Sequence, residues 1–142
     1  MPKQTQILTI AEVCFIAHTF AENFMEWDEP IPPFSTWFPH ELESCLSVPF
    51  QTFGRQQLYK GLKAKAAILF YLMIKNHPFQ NGNKRIAVTS LMVFLSKNEK
   101  WLSVDQQEFY NFAVWVASSP PGLKDDTVRA IGTFIGKHLT DY

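Results

Sequence analysis

The sequence predicts an all-α domain carrying one small extended flap. Two neighbouring helix-length stretches are apolar nearly all round, amphipathic stretches with capping signals flank them, and a short interruption bounded by Pro49 and Gly54 is the one extended segment expected.

The first helix is expected after Thr9-Ile10-Ala11-Glu12, which has the form of a capping box, and should run to about Met25. Val13, Ile16, Ala17, Phe20 and Phe24 form its apolar stripe. The proline- and aromatic-rich residues 27–39 read as an ordered loop. A short helix is expected over residues 41–46. It gives way at Pro49 to an extended or hairpin-like flap of Phe50, Gln51, Thr52, Phe53 and Gly54.

Residues 62–76 and 84–97 are the strongest helices. In the first, Leu62, Ala66, Leu69, Phe70 and Met73 share a face, while Ile68, Leu72 and Ile74 make the remaining sides apolar. Ile86, Val88, Leu91, Met92, Phe94 and Leu95 do the same for the second, so both belong at the centre. Ser103 is expected to cap a further helix to about Ala117. Pro120-Pro121-Gly122 then breaks the chain before a last amphipathic helix over residues 123–139.

The chain has 142 residues, of which 46% are hydrophobic, 15% aromatic and 18% charged, enough apolar material for one globular domain. Its formal net charge is zero, whereas a nucleic-acid partner normally calls for a cationic surplus. Cys14 and Cys45 lack Cys-x-x-Cys spacing, and the polar residues 1–6 lead us to expect no secretory leader. Both thiols are therefore expected reduced and buried in a cytoplasmic protein. The apolar runs 66–74 and 91–95 are too short to span a bilayer, so no membrane role is expected.

The chemistry concentrates between the two central helices, in His77-Pro78-Phe79-Gln80-Asn81-Gly82-Asn83-Lys84-Arg85. The second helix starts here, and a helix start has backbone N–H groups with no acceptor inside the helix. Those groups, the positive helix end and the cations Lys84 and Arg85 make an anion cradle. Gly82 permits close approach of a phosphate. The loop is not a Walker A loop, which needs a second glycine and a Ser or Thr after the lysine. His77 lies beside the cradle and suits proton removal from a hydroxyl near neutral pH. A base next to a phosphate cradle points to phosphoryl or nucleotidyl transfer.

These nine residues resemble the Fic motif, His-Pro-Phe-x-(Asp/Asn/Glu)-Gly-Asn-(Gly/Lys)-Arg, and Lys84 at its eighth place is similar to the Doc, or death-on-curing, branch. Leu42-Glu43-Ser44-Cys45-Leu46, the flap, Leu58-Tyr59 and residues 63–76 also resemble Doc, so the likeness is expected over roughly the whole chain. The resemblance implies that His77 deprotonates the target hydroxyl and that Phe79 anchors the loop in the core. It implies that Asn81 faces a magnesium ion, and that Gly82, Asn83 and neighbouring amides hold nucleotide phosphates. Lys84 and Arg85 would complete the ATP site, and the flap would align a target segment by strand addition.

Two departures from the AMP-transferring pattern matter. Asn81 replaces an acid, and a neutral amide holds Mg²⁺ less well than a carboxylate. Lys84 replaces a glycine, which in Doc-type members accompanies phosphate transfer to elongation factor Tu. Three function classes follow from the resemblance: a Doc-type protein kinase restrained by an antitoxin, an AMP-transferase, and a non-catalytic binding module. The Ser/Thr-x-x-x-Glu-Gly/Asn self-inhibitory pattern is not found, which implies control by a separate partner.

Against the functional reading, His77 could be a histidine that only caps its helix, and Asn83 only an N-cap. Cations in a helix's first turn are disfavoured unless an anion joins them, which favours a binding role for Lys84 and Arg85. His18, His40 and His138 lack ligand spacing and read as structural or surface residues. Asp125 and Asp126 read as first-turn acids. Trp27, Trp37, Trp101 and Trp115 read as core or loop packing.

Overall fold

Residues 65–74 of a single helix are all buried, and the rest of the molecule is arranged around that helix. The structure is a computed structural model that describes residues 4–16, 38–79 and 82–141. Among these, the elements run α1 (Ile10–Ile16), α2 (Pro39–Ser47), a 3-10 turn (Val48–Phe50), β1 (Thr52–Phe53), β2 (Gln56–Gln57) and α3 (Gly61–Lys75). There follow α4 (Asn83–Lys97), β3 (Lys100–Leu102), α5 (Gln106–Ser118), a second 3-10 turn (Pro121–Leu123), α6 (Lys124–His138) and β4 (Leu139–Asp141). The fold is all-α, as the periodicity predicts, with two minimal strand pairs.

α3 packs against α4 on one side and α6 on another. Its burial explains its composition, since a helix covered on every face keeps no polar stripe. Phe70, Phe79 and Phe94 are among the largest fully buried side chains, and each such side chain stabilises the fold by roughly 1.5–3 kcal/mol. A second aromatic group joins α5 to α6, with the Phe112 and Phe134 rings stacked at 4.1 Å. Lys75, in the last turn of α3, donates to the carbonyls of Ala117 and Ser119 and so satisfies the end of α5.

The capping box forms. Glu12 accepts from the Thr9 amide at 2.9 Å, and the Glu12 amide donates to Thr9 Oγ1 at 3.2 Å. Ala17, Phe20, Phe24, Trp27, Trp37 and His18 lie outside the described residues. Cys14 and Cys45 are free and buried, and burial, with Glu41 adding to it, pushes the Cys45 thiol up to about 12. Among the described residues no helix is long and apolar enough to cross a membrane.

Several local expectations change. Asp105, not Ser103, caps α5, accepting from the amides of Gln107 and Glu108. The Ser103 amide instead donates to the His138 carbonyl at 2.9 Å, and His138 Nδ1 lies 3.2 Å from the Ser103 carbonyl. This exchange belongs to the β3–β4 pair, in which Leu102 faces Leu139 and Lys100 faces Asp141. Residues 139–141 are therefore strand. Trp101 and Trp115 are 39% and 48% exposed rather than core, although Trp115 stacks on Phe112.

Candidate active site

The flap differs from its expected outline. Phe50 closes the 3-10 turn and meets Phe94 edge-on at 6.4 Å, so it anchors the flap rather than forming its strand. The hairpin proper pairs Thr52 with Gln57 and Phe53 with Gln56. Gly54 and Arg55, both at positive φ (57° and 69°), make the turn between them, the arrangement favoured by two-residue hairpin loops. The second strand was missed because Gln56-Gln57 has no apolar alternation. Residues 51–58 are all exposed, Phe53 by 79%.

α3 ends at Lys75, and the Asn76 amide still reaches the Leu72 carbonyl at 2.9 Å. His77 follows at φ 48°, the left-handed conformation that usually falls to glycine just past a helix end. It is exposed, while Pro78 and Phe79 turn inward and are buried. The Pro78 carbonyl accepts from the Phe38 amide at 2.7 Å, which ties the loop to the start of α2. Such strain at the proposed base invites a functional reading.

On the other side of the loop, Gly82 adopts φ 77° and serves as the N-cap of α4. Asn83 is thus the first helical residue, not the cap. Its buried side chain accepts from the Phe79 amide at 3.0 Å and donates to the Phe79 carbonyl at 2.8 Å. Asn83 Nδ2 also lies 3.4 Å from His77 Nδ1, a contact that suits the tautomer in which Nδ1 is the acceptor. The contact is long and weak, so the other tautomer, with Nε2 as acceptor, is accessible at little cost.

Lys84 is partly buried and Arg85 is 5% exposed, both in the first turn of α4. The structure therefore brings His77, Gly82, Asn83, Lys84 and Arg85 together around one helix start. Gln80 and Asn81, the expected metal-facing residue, lie outside the described residues. Among the described residues no group of three His, Cys, Asp or Glu could hold a metal ion. The N–H groups and cations at the start of α4 are of the kind that bind phosphate oxygens.

Two open clefts lie away from this loop. One of about 310 Å³ is bounded by Gln4, Leu62 and Lys97, and one of about 490 Å³ lies between α3 and α6 beside Lys63, Ala67 and Val128. Neither is lined by His77, Lys84 or Arg85, and the loop, which joins an exposed histidine to two cations at a helix start, is the stronger candidate.

Sequence reasoning passed over one residue. Lys65 is 4% exposed on α3 and donates to Gln57 Oε1 at 2.5 Å and to the Tyr59 carbonyl at 2.6 Å. Its ammonium also stands 5.7 Å from the centre of the Phe50 ring, and burial lowers its pKa. A cation inside an otherwise apolar stretch was the available signal.

The site is thus a buried helix pair joined by a tight loop, with a histidine at one end and a cation-bearing helix start at the other. The Fic/DOC family model matches residues 7–95, and the chain belongs to that family, whose members generally transfer nucleotide groups to proteins. The match covers the flap, α3, the loop and α4 up to Leu95. It stops short of the whole-chain likeness expected, leaving α5 and α6 outside it. No curated protein and no solved structure matches the chain.

Proposed function

We propose that this protein is a Doc-type transferase that moves the γ-phosphate of ATP onto a hydroxyl of a target protein. Its target class is a translation factor, with elongation factor Tu the one the Doc resemblance suggests. The observation that carries this reading is Lys84 in the first turn of α4, between the left-handed Gly82 and the buried Arg85. A glycine there would leave room for terminal phosphates while the α-phosphate faces the target. Lysine fills that room and adds charge suited to a γ-phosphate presented for transfer.

In this mechanism His77 takes the proton of the target hydroxyl. The oxygen so exposed forms the new bond to the γ-phosphorus. The bond from that phosphorus to the β–γ bridging oxygen breaks, and ADP leaves with the electron pair. The α4 N-terminus, Lys84 and Arg85 offset the charge on the transferring group. Magnesium, when bound, supplies neutralising charge on the nucleotide. Asn81 and the phosphate oxygens would hold it. The β1–β2 hairpin receives the target segment by strand addition. The protein would act in the cytoplasm under the restraint of an antitoxin.

The test is incubation with candidate targets and ATP labelled separately at the α- and γ-positions, followed by intact-mass analysis of the target. Label from the γ-position alone supports the kinase reading, and an AMP adduct replaces it with AMP transfer. No transfer, together with no ATP binding by calorimetry at millimolar nucleotide, leaves a binding module.

A further inference from the structure

The flap has no packing of its own. Its strands are two residues each, every residue from 51 to 58 is exposed, and an isolated two-stranded hairpin is marginal in water. Something at its base must set its direction. The Leu58 amide closes onto the Gln51 carbonyl at 3.1 Å, but that bond links the two arms to each other and not to the domain.

Beyond the Gln51 amide, which donates to the Val48 carbonyl of the adjoining 3-10 turn at 3.0 Å, the link to the domain is Lys65. Its ammonium touches the chain on both sides of the hairpin: the Phe50 ring before it, the Gln57 side chain in its second strand and the Tyr59 carbonyl after it. Gln57 is the residue paired with Thr52, so the grip falls on the rung nearest the domain. α3, which carries Lys65, is buried from that residue to Ile74 and ends immediately before Asn76 and His77. From residue 65 to residue 75 the helix rises about 15 Å. One helix therefore holds the flap near its start and the proposed base at its end.

We propose that Lys65 is a positioning residue that locks the hairpin to α3 and so sets how a target segment lies relative to His77. It acts through Gln57 and Tyr59 and touches neither nucleotide nor target. The role in transfer rests on the reading that the flap receives the target; the locking itself does not. A neutral side chain of similar shape would keep the helix packed and release the hairpin.

The experiment compares the parent with Lys65→Met, Lys65→Arg and Gln57→Leu by amide hydrogen exchange, resolved by segment. Lys65→Met is expected to speed exchange in residues 52–58 about tenfold, the scale of one lost charged hydrogen bond, with the centres of α3 and α4 unchanged. Gln57→Leu, an exposed substitution, gives a smaller increase in the same segment, and the double variant adds little to Lys65→Met. Lys65→Arg restores protection. In transfer assays the KM for the target rises in Lys65→Met, while the KM for ATP and kcat at saturating target stay near the parent's.

Unchanged flap exchange in a folded Lys65→Met overturns the proposal, as does an increase spread evenly through α3 and α4, which would make Lys65 a general stabiliser. If Lys65→Met does not fold, Gln57→Leu decides: flap exchange equal to the parent's overturns it. Absence of transfer in the parent sinks the proposed reaction, and with it the role in target placement, whereas the exchange result tests the lock independently.

Discussion

Asn83 holds the backbone of Phe79 from both sides, accepting from its amide at 3.0 Å and donating to its carbonyl at 2.8 Å. The side chain at the start of α4 thereby closes the loop onto itself and sets the spacing between His77 and the helix start. Asn83→Ala leaves two backbone groups of the buried Phe79 without these partners. It is expected to cost about 2–4 kcal/mol in denaturant unfolding. Asn83→Asp should fare no better, because an oxygen would replace the donor facing the Phe79 carbonyl. A stability equal to the parent's in both variants would show that the clamp contributes nothing.

His77 combines exposure with a left-handed backbone, which separates its two effects. That conformation costs a residue with a Cβ about 1–2 kcal/mol, and glycine is relieved of it while losing more entropy on folding. His77→Gly is therefore expected to be at least as stable as His77→Ala in thermal unfolding. Both should lower transfer by about 10²–10⁴-fold if His77 is the base. Retained transfer in either variant would assign the residue to structure alone.

Lys84→Gly tests the choice of phosphate. The substitution should weaken γ-phosphate transfer and allow an AMP adduct, since it returns the space used by the other branch. Its cost to α4 is expected to be below about 1 kcal/mol, because the position lies in the first turn. Mass analysis of the target reads the result, and an unchanged product would separate Lys84 from nucleotide orientation.

Glu12 supplies an acid-sensitive contact between α1 and α4. Burial pushes its carboxyl up, but the Lys97 ammonium at 2.7 Å and the Thr9 amide and hydroxyl outweigh this and hold it below its ordinary 4.5. A depressed carboxyl contributes stability above its unfolded value and loses it as pH falls through the folded one. Unfolding curves between about pH 6 and pH 3 should therefore show a larger loss for the parent than for Glu12→Gln. Parallel curves would mean that the contact carries no pH-dependent stability.

Cys45 gives a probe of opening. With its thiol pushed up to about 12 by burial and by Glu41, little thiolate exists near neutral pH. Labelling of Cys45 by a thiol reagent is expected to be far slower than that of a model thiol, and to follow the unfolding transition. Rapid labelling of the native protein would show that α2 opens readily.

The sequence by itself determined the features that depend on neighbours along the chain. Apolar residues spaced for a buried helix placed α3 and α4, Thr9 and Glu12 placed the start of α1, and the nine residues from His77 to Arg85 marked the loop. Each is written within a few turns of chain, where helix geometry alone relates the residues. Tertiary structure decided what depends on distant partners. β3 became a strand only because residues 139–141 return beside it, and the caps near Ser103 changed with that pairing. The role of Lys65 depends on Gln57 of the hairpin and on Tyr59 just after it, which no local pattern around Lys65 indicates. Trp101 and Trp115 read as core or loop packing, and their partial exposure was set by which apolar face the fold leaves uncovered, something composition does not say. Periodicity identifies a face that can be buried, and packing of distant segments selects what covers it.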